Sequence, residues 1–262
     1  MWWHEQSWPK IEALDKNLPV VISLGSIEQH GKHLPLCVDT VQVTTIAERA
    51  EKILGDRAIF VPTLWLGSSD HHKDFPGTIT VAPSLYSEMI MQLSRSILRA
   101  GFWRIFFLNG HGGNETPGAQ ALTELVAEDD QADAGYLVFS SWWQLAKDAI
   151  APQKHDMATA GVSHACEYET SLMLAIRPEL VETELASDTT PVLAGPWFTV
   201  AGGGKVRMFR RFHRLTGSGS LGQPTAATSA KGAAMLDAIV EDVVAFVRDF
   251  ATWPDLPPRK SS

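Results

Sequence analysis

The chain has 262 residues, 45% of them apolar, and a formal net charge of −8. That length can bury a large core in one domain, and the acidic balance excludes nucleic acid or an anionic membrane surface as the main partner. Cys37 and Cys166 are too few for a disulfide framework. No apolar run reaches the roughly 18 residues a membrane-spanning helix needs, and Met-Trp-Trp-His-Glu at the start is no signal peptide. The expectation is a soluble cytoplasmic protein, residues 1–253 forming one domain and 254–262 a flexible tail.

Residues 1–17 read as a leading segment that covers one edge of the domain, with Trp2, Trp3 and Trp8 packing or lining an interface. Val20–Leu24 is apolar, β-branched and short, as a buried strand should be. Apolar residues at helical spacing then run over Val41–Leu54, stopped by Gly55. Ala58–Pro62 is a second strand, followed by a polar loop from Leu66 to Thr78. Ser84–Ala100 is an amphipathic helix with Ser84 as its N-cap and Gly101 as its stop. Arg104–Leu108 is a strand, Pro117–Ala127 a helix and Gly135–Ser140 a strand leading to Trp142 and Trp143. Ala151–Val162 is irregular, and the stretch from His164 to Thr170 enters a helix over Ser171–Ile176. Residues 185–227 carry no period and read as loops with room for a hairpin, and Ser229–Phe250 is a long closing helix. Strands alternating with helices predict an α/β fold, a three-layer α/β/α arrangement on a mainly parallel sheet.

The chemistry is concentrated at strand ends. Gly25 breaks the first strand, and Glu28, His30, His33 and Asp39 follow within fifteen residues. Arg104–Leu108 runs into Asn109-Gly-His-Gly-Gly-Asn114, which delivers His111. Parallel strands place these ends on one sheet edge, where ligand crevices form. Carboxylate plus imidazole is ligand chemistry for a divalent ion, and clustered carboxylates with no cation would repel one another. His164, Glu167 and Glu169 can join from a third segment. The glutamates are two apart, so on a helix they face different sides, one toward metal and the other toward structure. A thiolate ligand from either cysteine also has to be considered. The glycines around His111 let the backbone turn sharply; they match no dinucleotide fingerprint and lack the Lys-Ser/Thr pair of a phosphate loop. Asn114 suits the cap of the next helix. His72 is a candidate for the pocket, His71 a weaker one. Lys205, Arg207, Arg210, Arg211 and Arg214 read as a solvated or subunit-contact face, or as a fork for an anionic substrate group. Trp142 and Trp143 are core or pocket wall.

These motifs together resemble the creatininase family of metal-dependent amidohydrolases. The resemblance is carried by Gly25-Ser-Ile-Glu-Gln-His-Gly with Leu34-Pro-Leu and Asp39, by His72 with Phe75-Pro-Gly-Thr78, and by Asn109-Gly-His-Gly-Gly-Asn114. His164 with Glu167-Tyr-Glu-Thr-Ser171, and Gly222 with Pro224, Ala227 and Thr228, complete it. It implies two divalent ions per subunit, zinc or manganese, and a homo-oligomer, commonly a hexamer. Glu28, Asp39 and His111 then look like ligands of one ion, and His30 with the shared Asp39 like ligands of the other. Creatininases take a further carboxylate from the position that is Gly113 here, and Glu167 is the expected replacement. The resemblance further implies that His164 transfers protons with Glu169 behind it, and that Trp142 lines the substrate pocket with His72. A second pocket tryptophan of creatininase is Ala160 here, which argues against creatinine itself. The expected activity is hydrolysis of a C–N bond in a small cyclic or linear amide; a formamide deformylase or short-peptide peptidase is the alternative within the family. A non-catalytic metal- or ligand-binding protein on the same fold is the alternative from another class.

Overall fold

A computed structural model describes residues 1–190, 197, 205–206 and 208–256. Its sheet is built from β1 (Val20–Leu24), β2 (Ile59–Leu64), β3 (Arg104–Asn109) and β4 (Tyr136–Ser141), in the order β2-β1-β3-β4. All three pairings are parallel. The helices are α1 (Trp8–Ala13), α2 (Val38–Leu54), α3 (Pro83–Arg99), α4 (Glu115–Glu128), the short α5 (Asp130–Asp133) and α6 (Trp142–Leu145), α7 (Glu167–Ile176) and α8 (Ser229–Phe250).

Strand side chains alternate between the two faces, and both faces are covered. Val21, Phe60, Phe106 and Leu108 pack under α2, α7 and α8. Val20, Ile22, Leu24, Ile105 and Phe107 pack under α3 and α4. A sheet buried on both sides needs apolar residues at nearly every strand position, hence the unbroken runs in β1 and β3. The three-layer α/β/α expectation therefore holds. The chain leaves β1 toward one sheet edge and β3 toward the other, so a crevice opens between their carboxyl ends.

Several boundaries differ from expectation. Helix α2 begins at Val38, which moves Asp39 from a loop into its first turn. Helix α3 is started by Pro83, whose missing N–H costs nothing at a first helical position; Ser84 lies inside the helix and Ala82 makes no capping bond. Helix α4 begins at Glu115, and α7 begins at Glu167, four residues before the predicted start. The leading segment does cover an edge: Trp2 bridges Phe60 of β2, whereas Trp8 is 76% exposed. Within 185–227, the described residues bridge at Thr189–Gly222 and His164–Leu221. Arg207, residues 191–196 and 198–204, and tail residues 257–262 lie outside the described residues. Among the described residues no helix is long and apolar enough to cross a membrane.

Helix α8 closes the fold by lying directly on α7. A Cβ at Gly232 would sit 1.8 Å from the Ser171 carbonyl oxygen, so this crossing admits no side chain. Gly232→Ala should destabilise by about 3 kcal/mol, lowering Tm by roughly 6–12 °C; a melt within a degree of the parent would contradict the packing.

Candidate metal centre

Five segments meet at the carboxyl edge of the sheet. The exit of β1 brings Glu28 and His30, the first turn of α2 brings Asp39, and the exit of β3 brings His111. The loop after β2 adds His71 and His72, and the entrance to α7 adds His164 and Glu169. Glu28, His30, Asp39, His72, His111 and Glu169 are all buried.

Backbone carbonyls fix the protonation of the two central imidazoles. Nδ1 of His30 lies 3.1 Å from the Glu28 carbonyl oxygen. A carbonyl only accepts, so that nitrogen carries the hydrogen. Nε2 of the same ring then turns its lone pair toward Asp39 Oδ1 at 3.1 Å and Glu169 Oε1 at 4.0 Å. His111 is the mirror case: Nε2 donates to the Ser68 carbonyl at 3.1 Å, and Nδ1 faces Glu28 Oε1 at 3.4 Å and Asp39 Oδ2 at 3.0 Å. Asp39 thus directs one oxygen at each ring. Glu28 Oε2 and Asp39 Oδ2 are buried with no hydrogen-bond partner.

Lone pairs aimed at carboxylates in a dry site repel unless a cation lies between them. The donor set fits that need. Glu28, His71 and His111 bring ligand atoms within 4.8 Å of one another, and so do His30, Asp39 and Glu169. Hard oxygen with imidazole nitrogen suits zinc or manganese, and the carbonyl bonds behind each imidazole are the usual supports of metal-ligating histidines. The same field acts on protons. Burial alone would lower the pKa of His30, but Asp39, Glu169 and Glu28 outweigh it and push it up to about 9. Burial raises Glu169 to about 7 against the pull of His30.

Two further histidines brace this cluster. His72 receives a hydrogen bond at Nδ1 from Gln29 Nε2 at 2.9 Å and turns Nε2 toward Glu28 Oε1 at 3.4 Å. His164 donates from Nε2 to the Gln29 carbonyl at 2.8 Å, and its Nδ1 lies 3.7 Å from Glu28 Oε1. Burial, with the charge of His30 beside it, pushes His164 down to about 3.

The structure brings Glu28, His30, Asp39, His72, His111 and His164 together, and it turns the two glutamates to different sides. Glu167 points away, binding Lys231 Nζ at 2.7 Å and the Thr159 N–H at 2.8 Å. Glu169 faces His30 instead. Among the described residues no ion pair joins Glu169 to His164, whose orientation comes from the Gln29 carbonyl. Trp142 is core, 1% exposed, and Trp143 is the tryptophan that lines the cavity. Asn114 makes no capping bond; its carboxamide ties Gly25, Ser68 and Asn109 together. Burial, with Glu169 beside it, pushes the Cys166 thiol up to about 12, which does not suit a thiolate ligand.

The cavity has a volume of about 340 Å³. Glu115 and Phe212 line it, and sequence reasoning did not select them for the site; His71 and Trp143, which it offered for the pocket, line it as well. Phe212 lies 4.3 Å from the His72 ring and 4.6 Å from the His164 ring. Its neighbours Arg211 and His213 both bind Asp74 of the loop after β2, at 2.8 and 2.7 Å. No local signal marks Glu115 or Phe212 for the pocket.

A parallel α/β sheet with buried carboxylates and imidazoles at its carboxyl edge is the frame of a metal-binding α/β protein. The creatininase family profile, described as creatinine amidohydrolase, matches residues 4–247. The chain is 30% identical to a mycofactocin precursor peptide peptidase of Mycobacterium ulcerans (strain Agy99) over 95% of this chain and 88% of that one. It is 26% identical to creatinine amidohydrolase of Pseudomonas putida, over 94% and 95% of the two chains. A solved mutant creatininase of the Zn–Zn type superposes with a TM-score of 0.79 at 25% identity, covering 95% of this chain and 97% of that one. The chain belongs to the creatininase family of amidohydrolases.

Gly113 explains why a carboxylate is absent from that turn. A Cβ there would sit 2.1 Å from the Ser68 carbonyl oxygen and 2.4 Å from His111 Nε2, wedged into the bond that fixes the imidazole. Gly113→Ala should weaken metal binding about 10- to 100-fold, measured by competition with a chelator. Unchanged affinity would mean that the turn yields without moving His111.

Proposed function

We propose that the cavity holds two divalent ions, zinc or manganese, and that the protein hydrolyses the C–N bond of a small amide there. The observation that carries this reading is Asp39, buried with one oxygen on His30 and the other toward His111, at two imidazoles whose outer nitrogens already carry their hydrogens. His30, Asp39 and Glu169 would hold one ion. Glu28, Asp39 and His111 would hold the other, with His71 in reach. When bound, the ions lower the pKa of water toward neutrality and offset the charge that builds on the carbonyl oxygen.

The chain's own residues do the rest. His164 keeps its Nε2 hydrogen on the Gln29 carbonyl, so Nδ1 is the atom that takes a proton and passes it to the departing nitrogen. Gln29 holds His72 and His164 from one side chain and its backbone, and His72 keeps Glu28 aimed at the cluster. Trp143 and Phe212 keep water from the cavity walls. A linear amide of peptide type fits this cavity better than creatinine, because Trp142 is spent in the core and Ala160 offers no second ring. The peptidase relative at 30% identity supports the same choice. The reading takes residues 1–253 as one domain of a cytoplasmic homo-oligomer. Exposed Trp65, Ile79 and Leu85 support the assembly, and the two cysteines, both free, support a reducing compartment.

The test is metal analysis joined to a screen of short peptides, formamides, lactams and creatinine for amine release. The parent should carry two ions and release amine from peptides; tight metal with no turnover on any amide would favour a binding protein. Glu169→Gln should lose one ion while Glu167→Gln keeps both, and the opposite pattern would restore Glu167 as the ligand. His164→Ala should lower kcat about 10²- to 10⁴-fold with both ions retained; loss of metal from that variant would make His164 a ligand.

A further inference from the structure

The lining of the cavity carries four carboxylates as well as imidazoles. Its carboxylates are Glu28, Asp39, Glu115 and Glu169, and among the described residues no lysine or arginine lines it. Of the basic residues at 205–214, Arg211 is bound to Asp74 and Arg210 donates to the Phe209 carbonyl.

Glu28, Asp39 and Glu169 face imidazole nitrogens. Glu115 does not; among the described residues it forms no ion pair. Its Oε1 accepts a hydrogen bond from Ser141 Oγ at 2.8 Å, and Ser141 Oγ accepts one from Asn109 Nδ2 at 2.9 Å. The same Asn109 nitrogen donates to the His111 carbonyl at 2.7 Å. Ser141 and Asn109 are fully buried, so this relay ties a cavity-facing carboxylate rigidly to the turn that carries His111. A first-turn acid also favours its helix, but pointing into solvent would serve α4 equally well and would need no buried relay. Trp143 lines the same cavity, and carboxylate with an aromatic ring is the pairing that takes up organic cations.

We propose that Glu115 anchors a cationic nitrogen of the substrate, so that the amide cleaved here carries an ammonium or guanidinium group. The inference rests on the amidohydrolase reading for its catalytic meaning, but its binding half can be tested alone. Phenethylammonium and its uncharged counterpart 2-phenylethanol are titrated into the zinc-loaded full chain by calorimetry, with the parent and with Glu115→Gln, whose amide can still accept from Ser141. The parent should prefer the ammonium, and Glu115→Gln should weaken ammonium binding about 10- to 100-fold relative to the alcohol with zinc content unchanged. Equal ratios in parent and variant would overturn the proposal.

The kinetic arm uses short alanine peptides with free N-termini and their N-acetylated twins. The parent should favour the free amine in kcat/KM, and Glu115→Gln should erase that preference through KM. If both twins are cleaved alike by parent and variant, the anchor is wrong and the hydrolase reading stands. If the ammonium binds through Glu115 but no amide is cleaved, the anchor stands and the hydrolase reading falls.

Discussion

Asp39 between His30 and His111 is the contact on which the rest of the site depends. A carboxylate at 3% exposure, with rings at 3.1 and 3.0 Å on its two oxygens, is expensive to bury unless its charge is matched. The match can come from protons on the rings or from cations between the groups. Carbonyl bonds already occupy the outer hydrogens of both rings, so a proton on the inner nitrogen would make each ring a buried cation. Divalent ions supply the same compensation and leave the rings neutral. The apolar layers on both sheet faces keep the arrangement dry, which strengthens every one of these interactions.

Much of this was legible in the sequence because period and strand ends carry it. Apolar runs ending in Gly25 and Asn109, with helices between them, predict parallel strands, and parallel strands bring Glu28, His30, Asp39 and His111 to one edge. The three-layer class followed from the same alternation. What was not legible depended on partners distant in sequence. Glu167 and Glu169 lie about 200° apart around α7, and spacing says only that they diverge. Lys231, on α8, decides which one turns away. Trp142 and Trp143 are adjacent at the end of β4, and the short turn of α6 sends the first into the core and the second toward the cavity. Boundaries slipped for a related reason. Capping chemistry places Ser84 before a helix, but Pro83 starts the turn one residue earlier, and Ser84 is left inside it.

Phe212 shows a different limit. It sits in a stretch with no hydrophobic period, among basic residues that read as a charged face. Its place is set by Asp74, whose single carboxylate holds Arg211 and His213 on either side of it. The charges there secure a strap across the cavity wall, and the aromatic residue between them closes against His72 and His164. Nothing local in sequence distinguishes a latch of this kind from a surface patch.

Gly113 and Glu169 form one arrangement in the proposed reading. The turn after β3 packs so closely on the loop after β2 that its Gly113 position admits no side chain, so no carboxylate can come from there. The oxygen has to come from an element that approaches His30 from the other side, and the first turn of α7 does so. That turn is held in place by Gly232, which lets α8 lie against the Ser171 carbonyl, and by Glu167 bound to Lys231. A glycine in the last helix thus bears on the donor set at the far edge of the sheet. The charge count at the cavity stays the same whichever element delivers the carboxylate, while the space beside His111 does not. With that side of the turn closed, Glu115, two residues further on at the start of α4, is the carboxylate left facing the cavity.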